Sequence, residues 1–460
     1  MATKIWPRDT GLLRRVGASL TAAALSLALI MPAYADGKTE VVRDAEIETL
    51  LKDYATPVLK AAGFKTSRVQ IVLVNDPSFN AFVDGQRIFI NTGALTAANV
   101  PNEIIGVIAH EAGHLQGGHQ QRLREQIAAA RTLAIVGSLL GAGAIAAGTI
   151  AGSSGGSQAG GALITAAPGL AQRNLLSYRR SEEMNADQAA ARYLNATGQS
   201  MRGMLTTFER FSQSLSLSGV QVDPYQISHP LPRERIALLE ELAHKSKFFD
   251  TRDPQQLIDR HQLMRAKIAA YTGGAAAVAR IFSKDRTSLA ARYGDAIATD
   301  LAGNSAASLK KLDALIREQP KNPYFHEFRG EVLIKLRKND EAIKAFSQAV
   351  KLDRSKSGLI RARLGFALVA SGKPGNMSRA IEELRASLQS EPENYSAYRS
   401  LSQAYGQTGD IANAELVMAE GNFRAGNFRE AKVFAARALQ KLPKGGPGAR
   451  RANDILTIGK

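Results

Sequence analysis

The chain has 460 residues and no cysteine. A disulfide framework is therefore excluded, and so is a lipidated cysteine after any cleavage site. Tryptophan occurs once, at Trp6, and histidine only seven times. Acidic residues are in deficit as well, 42 against 59 lysines and arginines, for a formal net charge of +17. Such a balance suits a nucleic acid or an anionic surface. No nucleic-acid motif accompanies it, so anionic lipid, lipopolysaccharide or acidic clients are the better match for an exported chain.

Export is written at the N-terminus. Lys4, Arg8, Arg14 and Arg15 precede an apolar run from Val16 to Met31, and Ala33-Tyr34-Ala35 offers small residues for cleavage before Asp36. Residues 1–35 thus read as a secretory signal peptide. The Arg14-Arg15 pair lacks the flanks of a twin-arginine signal, so general secretion is expected. Its removal takes Trp6 away and lowers the net charge to +14, 55 basic residues against 41 acidic. The remaining length suits two or three domains with a sizeable core.

His110-Glu111-Ala112-Gly113-His114 carries the most chemistry. Two imidazoles four apart on a helix share one face and can grip a single metal ion. In this H-E-x-x-H arrangement Glu111 is placed to take a proton from the water that a zinc ion activates against a peptide carbonyl. Asn102 is a plausible N-cap, and Ile104, Ile105, Ile108, Ala109, Ala112 and Leu115 supply the apolar stripe of the helix. Two histidines leave a tetrahedral zinc one protein ligand short, with the fourth position open. Glu183 is the best candidate for that ligand, one helical turn before Asp187 in Arg180-Ser181-Glu182-Glu183-Met184-Asn185-Ala186-Asp187. Read alone, this segment is equally a solvated charged helix face.

That segment resembles the Arg-x-x-Glu-x-x-Ala-Asp motif of the CAAX-prenyl-protease-like zinc metallopeptidases, a gluzincin family with membrane-embedded and soluble periplasmic members. The resemblance implies Glu183 rather than Glu182 as the third zinc ligand, and Asp187 as the acceptor that fixes a ligand histidine. Two further stretches are similar to the family. Asn80-Ala81-Phe82, within Asn80 to Leu95, reads as the start of two strands about the Asp84-Gly85 turn. In the family such an edge strand receives a substrate peptide as an added strand. Ser228-His229-Pro230 resembles the family's His-Pro motif, with Arg235 at the position of its arginine, which the resemblance implies to be catalytic. The resemblance implies that His229 either occupies the open zinc position and keeps the enzyme latent or stabilises the oxyanion. Without it, His229 is a loop histidine. His119 reads as structural, and His244, His261 and His326 have no constellation around them.

Between the metal motifs, Thr132 to Gly161 is rich in Ala, Gly, Ile and Leu and carries no charge. Thr132 to Ala151 is long enough to span a bilayer, with Gly152 to Gly161 as a Gly/Ser loop. A single span would separate the two halves of the metal site, so a helix against the catalytic core, or a lid touching the membrane surface, is the favoured reading. From about Asn304 the texture changes to helical pairs. Gly330 and Gly365 recur 35 residues apart, the spacing of tetratricopeptide repeats. A third unit follows Pro392, and a shortened one holds Gly421, Phe428, Ala431 and Phe434. Stacked units form a concave surface for peptides or partner proteins.

The fold expected is mainly α: a gluzincin-type metallopeptidase domain with a small β-sheet at 36–249, a helical linker at 250–303, and a tetratricopeptide α-solenoid at 304–460. The resemblance implies one Zn2+ per chain and a periplasmic endopeptidase, soluble or peripheral. Its partners would be misfolded or assembling outer-membrane proteins and the barrel-assembly machinery, with membrane contact and no nucleic acid. The alternatives are a non-enzymatic periplasmic chaperone or adaptor acting through the repeats, and a general secreted peptidase whose repeats only bind substrate.

Overall fold

A computed structural model describes residues 40–150, 154–217, 229 and 233–458. The expected signal peptide and Pro230 lie outside them. The described chain divides into two units, one of Lys52–Ile258 with residues up to Val42, the other of Asp259–Lys460 with Arg43–Leu51.

The first unit opens on β1 (Val41–Val42) and holds the C-terminal part of α1 (Ala45–Ala61), then β2 (Gln70–Val74), β3 (Ala81–Asp84) and β4 (Arg87–Asn91). The sheet order is β1-β2-β4-β3, with β2 parallel to β4 and the other pairs antiparallel. Ile88 and Ile90 of β4 are fully buried, and Phe89 and Asn91 on the other face are buried as well, so β4 is covered on both sides of the sheet. Gly85, at φ +60°, turns β3 back from β4 and leaves β3 at the sheet edge.

Among the described residues six helices follow: α2 (Thr92–Ala97), α3 (Pro101–Gly117), α4 (His119–Ile150), α5 (Ser154–Ala196), α6 (Arg202–Leu217) and α7 (Arg233–Lys245). Every residue of α3 from Pro101 to His114 is buried, so this helix is the axis of the unit. Its N-cap is Val100, with Pro101 at the first turn, and not Asn102. A proline needs no N–H there, which moves Asn102 one position inside. Asn102 instead donates to Ser200 O at 2.9 Å and accepts from Gly203 N at 2.8 Å, tying α3 to the start of α6. The Gly/Ser loop expected at 152–161 is helical from Ser154 onward, because α5 pairs with α4 along a seam of small residues.

The second unit is helical throughout its described residues. It begins at α8 (Gln255–Ile281), of which Asp259 onward belongs to it, and continues with α9 (Leu289–Leu301), α10 (Ser305–Glu318), α11 (Pro323–Lys335), α12 (Asn339–Leu352), α13 (Gly358–Ala370), α14 (Met377–Ser390), α15 (Tyr395–Gln407), α16 (Ile411–Arg424), α17 (Phe428–Leu439) and α18 (Pro447–Thr457). Gly330 lies in α11 and Gly365 in α13, the first helices of successive pairs, while Gly421 falls in the second helix of the third pair. Residues 250–303, read above as a linker, are helical, but Leu263, Tyr293 and Ile297 share a core with Leu312, Phe325 and Phe328. That segment is packed into the repeat unit. Within it Lys267 Nζ meets Asp44 at 2.7 Å and Glu46 at 3.1 Å, beside the buried Glu327.

Candidate active site

The H-E-x-x-H residues sit in the last turns of α3, close against α5. Gly113 makes that approach feasible, since a Cβ there would stand 2.9 Å from both Cα and O of Ala186. Such proximity carries the α5 carboxylates to the imidazoles. His110 Nε2 lies 3.0 Å from His114 Nε2 and 3.3 Å from Glu183 Oε2, and His114 Nε2 lies 3.4 Å from Glu183 Oε1. His229 joins them, with Nδ1 3.1 Å from both Glu183 oxygens and 3.3 Å from His110 Nε2. One donor atom from each of His110, His114, Glu183 and His229 falls within 4.8 Å of all the others, and all four residues are buried. His244, His261 and His326 are outside this group.

The surroundings orient each ligand. Asp187 Oδ1 is 2.9 Å from His110 Nδ1. Arg235, fully buried on α7, donates from Nε to Asp187 Oδ2 at 2.7 Å and from Nη2 to Oδ1 at 2.9 Å, and its Nη1 is 2.9 Å from Glu183 Oε2. Arg235 was expected to be catalytic. It touches two carboxylates rather than the open side of the site, which makes it a positioning group. Burial works against the charged forms here, yet the partners prevail: Asp187 and Glu183 push the His110 imidazole up to about 10, and His229 and His114 hold Glu183 well below the usual carboxylate range.

His119 was read as merely structural, and Glu182 was set aside in favour of Glu183. The structure places His119 Nδ1 2.9 Å from His114 Nδ1, and His119 Nε2 2.8 Å from Glu182 Oε2. Burial, then the neighbouring His114 and Arg122, push His119 down to about 3, so its ring is neutral. With Nε2–H facing Glu182, its Nδ1 is a lone pair that accepts the Nδ1 proton of His114. His114 Nε2 is then a lone pair too, the form a metal ligand needs. Helical periodicity hides this link, because α3 ends at Gly118 with φ +63° and His119 begins a new helix. The nearest legible signal is Gly117, where a Cβ would stand 2.0 Å from His119 Nε2.

A cation fits this donor set. Two imidazole nitrogens at 3.0 Å, with the Glu183 carboxylate beside both, call for a positive charge between them, which a proton on His110 supplies here and a metal ion would supply in its place. Glu111 makes the second observation: fully buried, neither of its oxygens has a hydrogen-bond partner, and His229 Nε2 stands 3.5 Å from Oε1. Such burial costs several kcal/mol, on the order of 1–3 per unpaired group, unless a ligand's proton is destined for it. The cleft in front is lined by Phe82 and Val83 of β3, Leu123, Ile127, Leu175 and Tyr178 as well as Glu111 and His114. A carboxylate base, metal donors and an edge strand on one cleft are the parts of a metallopeptidase.

Comparison with known proteins agrees. Residues 42–243 match Peptidase family M48, and residues 302–357 match Tetratricopeptide repeat. The chain carries an M48 peptidase domain followed by tetratricopeptide repeats. The chain is 20% identical over 416 residues to the Beta-barrel assembly-enhancing protease of Escherichia coli strain K12, covering 89% of this chain and 82% of the relative. It is 27% identical over 301 residues to the Putative beta-barrel assembly-enhancing protease of Vibrio cholerae, covering 62% and 58%. Among solved structures, MamA is 20% identical with a TM-score of 0.31, over 38% of this chain and 99% of that one.

Proposed function

We propose that the chain is a zinc endopeptidase of the bacterial cell envelope that acts on outer-membrane proteins during their assembly, with the repeats recruiting clients or the assembly machinery. The observation that supports this reading most is the alignment over 89% of the chain with a relative named for barrel assembly and proteolysis, joined to an intact donor set. Export through residues 1–35 to the periplasm belongs to the same proposal. So does a domain boundary near residue 258 rather than 303.

His110, His114 and Glu183 would hold the zinc. When bound, the metal supplies a Lewis acid and a water nucleophile at neutral pH. Glu111 takes the proton of that nucleophile and returns it to the leaving amine. Phe82 and Ala81 of β3, with Asn80 just before the strand, align the substrate backbone as an added strand beside the cleft. Asp187 and Arg235 hold His110 and Glu183 at their angles. His229, inside the donor group, would serve either as the fourth ligand of a resting state, swinging out before a peptide enters, or as a donor to the oxyanion of the transition state. The test is incubation of the zinc-loaded protein with an unfolded outer-membrane barrel protein and, separately, with an unfolded soluble protein. Cleavage of the barrel protein alone supports the reading; cleavage of both at equal rates points to a general peptidase, and cleavage of neither to the chaperone alternative.

A further inference from the structure

The α4–α5 hairpin is built inside out. Its buried seam is mostly small residues, Ala134, Gly137 and Gly141 on α4 against Gly160, Ala167 and Ala171 on α5, with Ile145 and Ile164 the aliphatic side chains that reach into it. The contact is at backbone range, since a Cβ on Gly141 would meet Gly160 O at 2.6 Å and one on Gly137 would meet the Ala167 Cβ at 2.3 Å. Most of the large aliphatic side chains point away from it, with Ile135, Leu139 and Leu140 exposed at 59%, 61% and 63%, and Leu133, Val136 and Leu170 about half exposed. In water a helix pair gains by turning its largest apolar side chains toward the seam. Small residues inside with large ones outside is the arrangement of helices that pack in lipid.

We infer that this hairpin seats in an anionic lipid bilayer. At 100° per residue the five exposed aliphatic side chains of α4 sweep an arc of about 160°, wider than one protein groove contacts and suited to a solvent that surrounds the hairpin. No charged residue occurs from Thr132 to Gln172, while exposed Arg131 and Arg173 stand at the same end, beside the Ala130–Ala171 contact. These two cations meet headgroup phosphates as the apolar arms enter. From Thr132 to Gly148 the arm rises about 24 Å, more than half of a hydrocarbon core of about 30 Å. The antiparallel return through α5 brings the chain back to the end it left, so His114 and Glu183 stay on one side of the membrane. This helix is long and apolar enough to cross a membrane, yet the hairpin needs no crossing to reach lipid.

The protein, purified after export and carrying Glu111→Gln to prevent self-cleavage, is floated with phosphatidylethanolamine–phosphatidylglycerol vesicles and with phosphatidylcholine vesicles. It is expected to float with the anionic vesicles. Leu139→Ser together with Leu140→Ser should lower the bound fraction about tenfold or more, with unchanged melting temperature because both side chains are exposed. Arg131→Gln with Arg173→Gln should weaken binding to the anionic vesicles alone. The inference is overturned if the parent floats with neither vesicle, if the serine pair floats as the parent does, or if the parent is instead a dimer that the serine pair dissociates.

Discussion

His114 and His119 face one another Nδ1 to Nδ1 at 2.9 Å across the left-handed turn at Gly118. Two nitrogens at that distance share one proton, and Glu182 decides which ring carries it. The metal donor set is thus held by two outer carboxylates, Asp187 behind His110 and Glu182 behind His119.

His119→Ala should therefore lower metal affinity about 10- to 100-fold, the usual weight of an outer partner. Competition with a chromophoric chelator measures this directly. Glu182→Gln should act in the same direction. Unchanged affinity in both variants would return His119 to a purely structural role.

Glu111→Gln should keep the metal, since it leaves every donor in place, and lose hydrolysis by about 10²- to 10⁴-fold. His110→Ala, His114→Ala or Glu183→Ala should lose the metal itself. Metal analysis beside a peptide-cleavage assay separates the two outcomes. A Glu111→Gln protein cutting at the parent rate would falsify the assignment of the base.

His229 stands both among the donors and 3.5 Å from Glu111, so two roles give opposite forecasts. As a resting-state ligand, its replacement by Ala should raise basal cleavage or self-degradation. As a transition-state donor, its loss should slow cleavage by roughly 10²-fold or more. Basal rates of His229→Ala at saturating zinc decide between them.

Glu327, in the repeat unit, offers a pH signature away from the metal. Burial pushes its carboxyl up to about 8 from an ordinary value of 4.5, with Lys267 opposing, and its Oε2 has no hydrogen-bond partner. The unfolded chain loses this proton near pH 4.5 while the folded chain keeps it to about 8. The raised value thus adds stability that is full below 4.5 and is lost as pH rises toward 8. The expected decline is on the order of 1 kcal/mol per pH unit across that window. Glu327→Gln should flatten it, as read by thermal melts of the full chain from pH 5 to 8.

Much of the local structure was legible because local rules carried it. The Asp84-Gly85 turn is a hairpin in the structure, and the apolar stripe of α3 is buried, although every other residue from Pro101 to His114 is buried with it. The four-residue spacing of His110 and His114, and that of Glu183 and Asp187, survive as neighbours on shared helix faces. The failures came where tertiary contacts overrode local preference. Asn102 has the chemistry of a cap, but Pro101 already starts the helix and Ser200 takes its amide. A Gly/Ser-rich run reads as loop until a second helix arrives close enough to need glycine. The His119 link crosses a helix break, where no periodicity reaches.

The donors are scattered along the chain, His229 lying 46 residues beyond Glu183 and 119 beyond His110. An emerging polypeptide holding only the H-E-x-x-H helix has two imidazoles and the base Glu111, but not Glu183, the carboxylate of the donor group. The destructive activity therefore cannot precede the fold: the long α4–α5 excursion must close before Glu183 arrives, and α7 must dock before Arg235 steadies it. A chain that has not yet folded is therefore harmless, and metal capture marks the moment at which its own folding is finished.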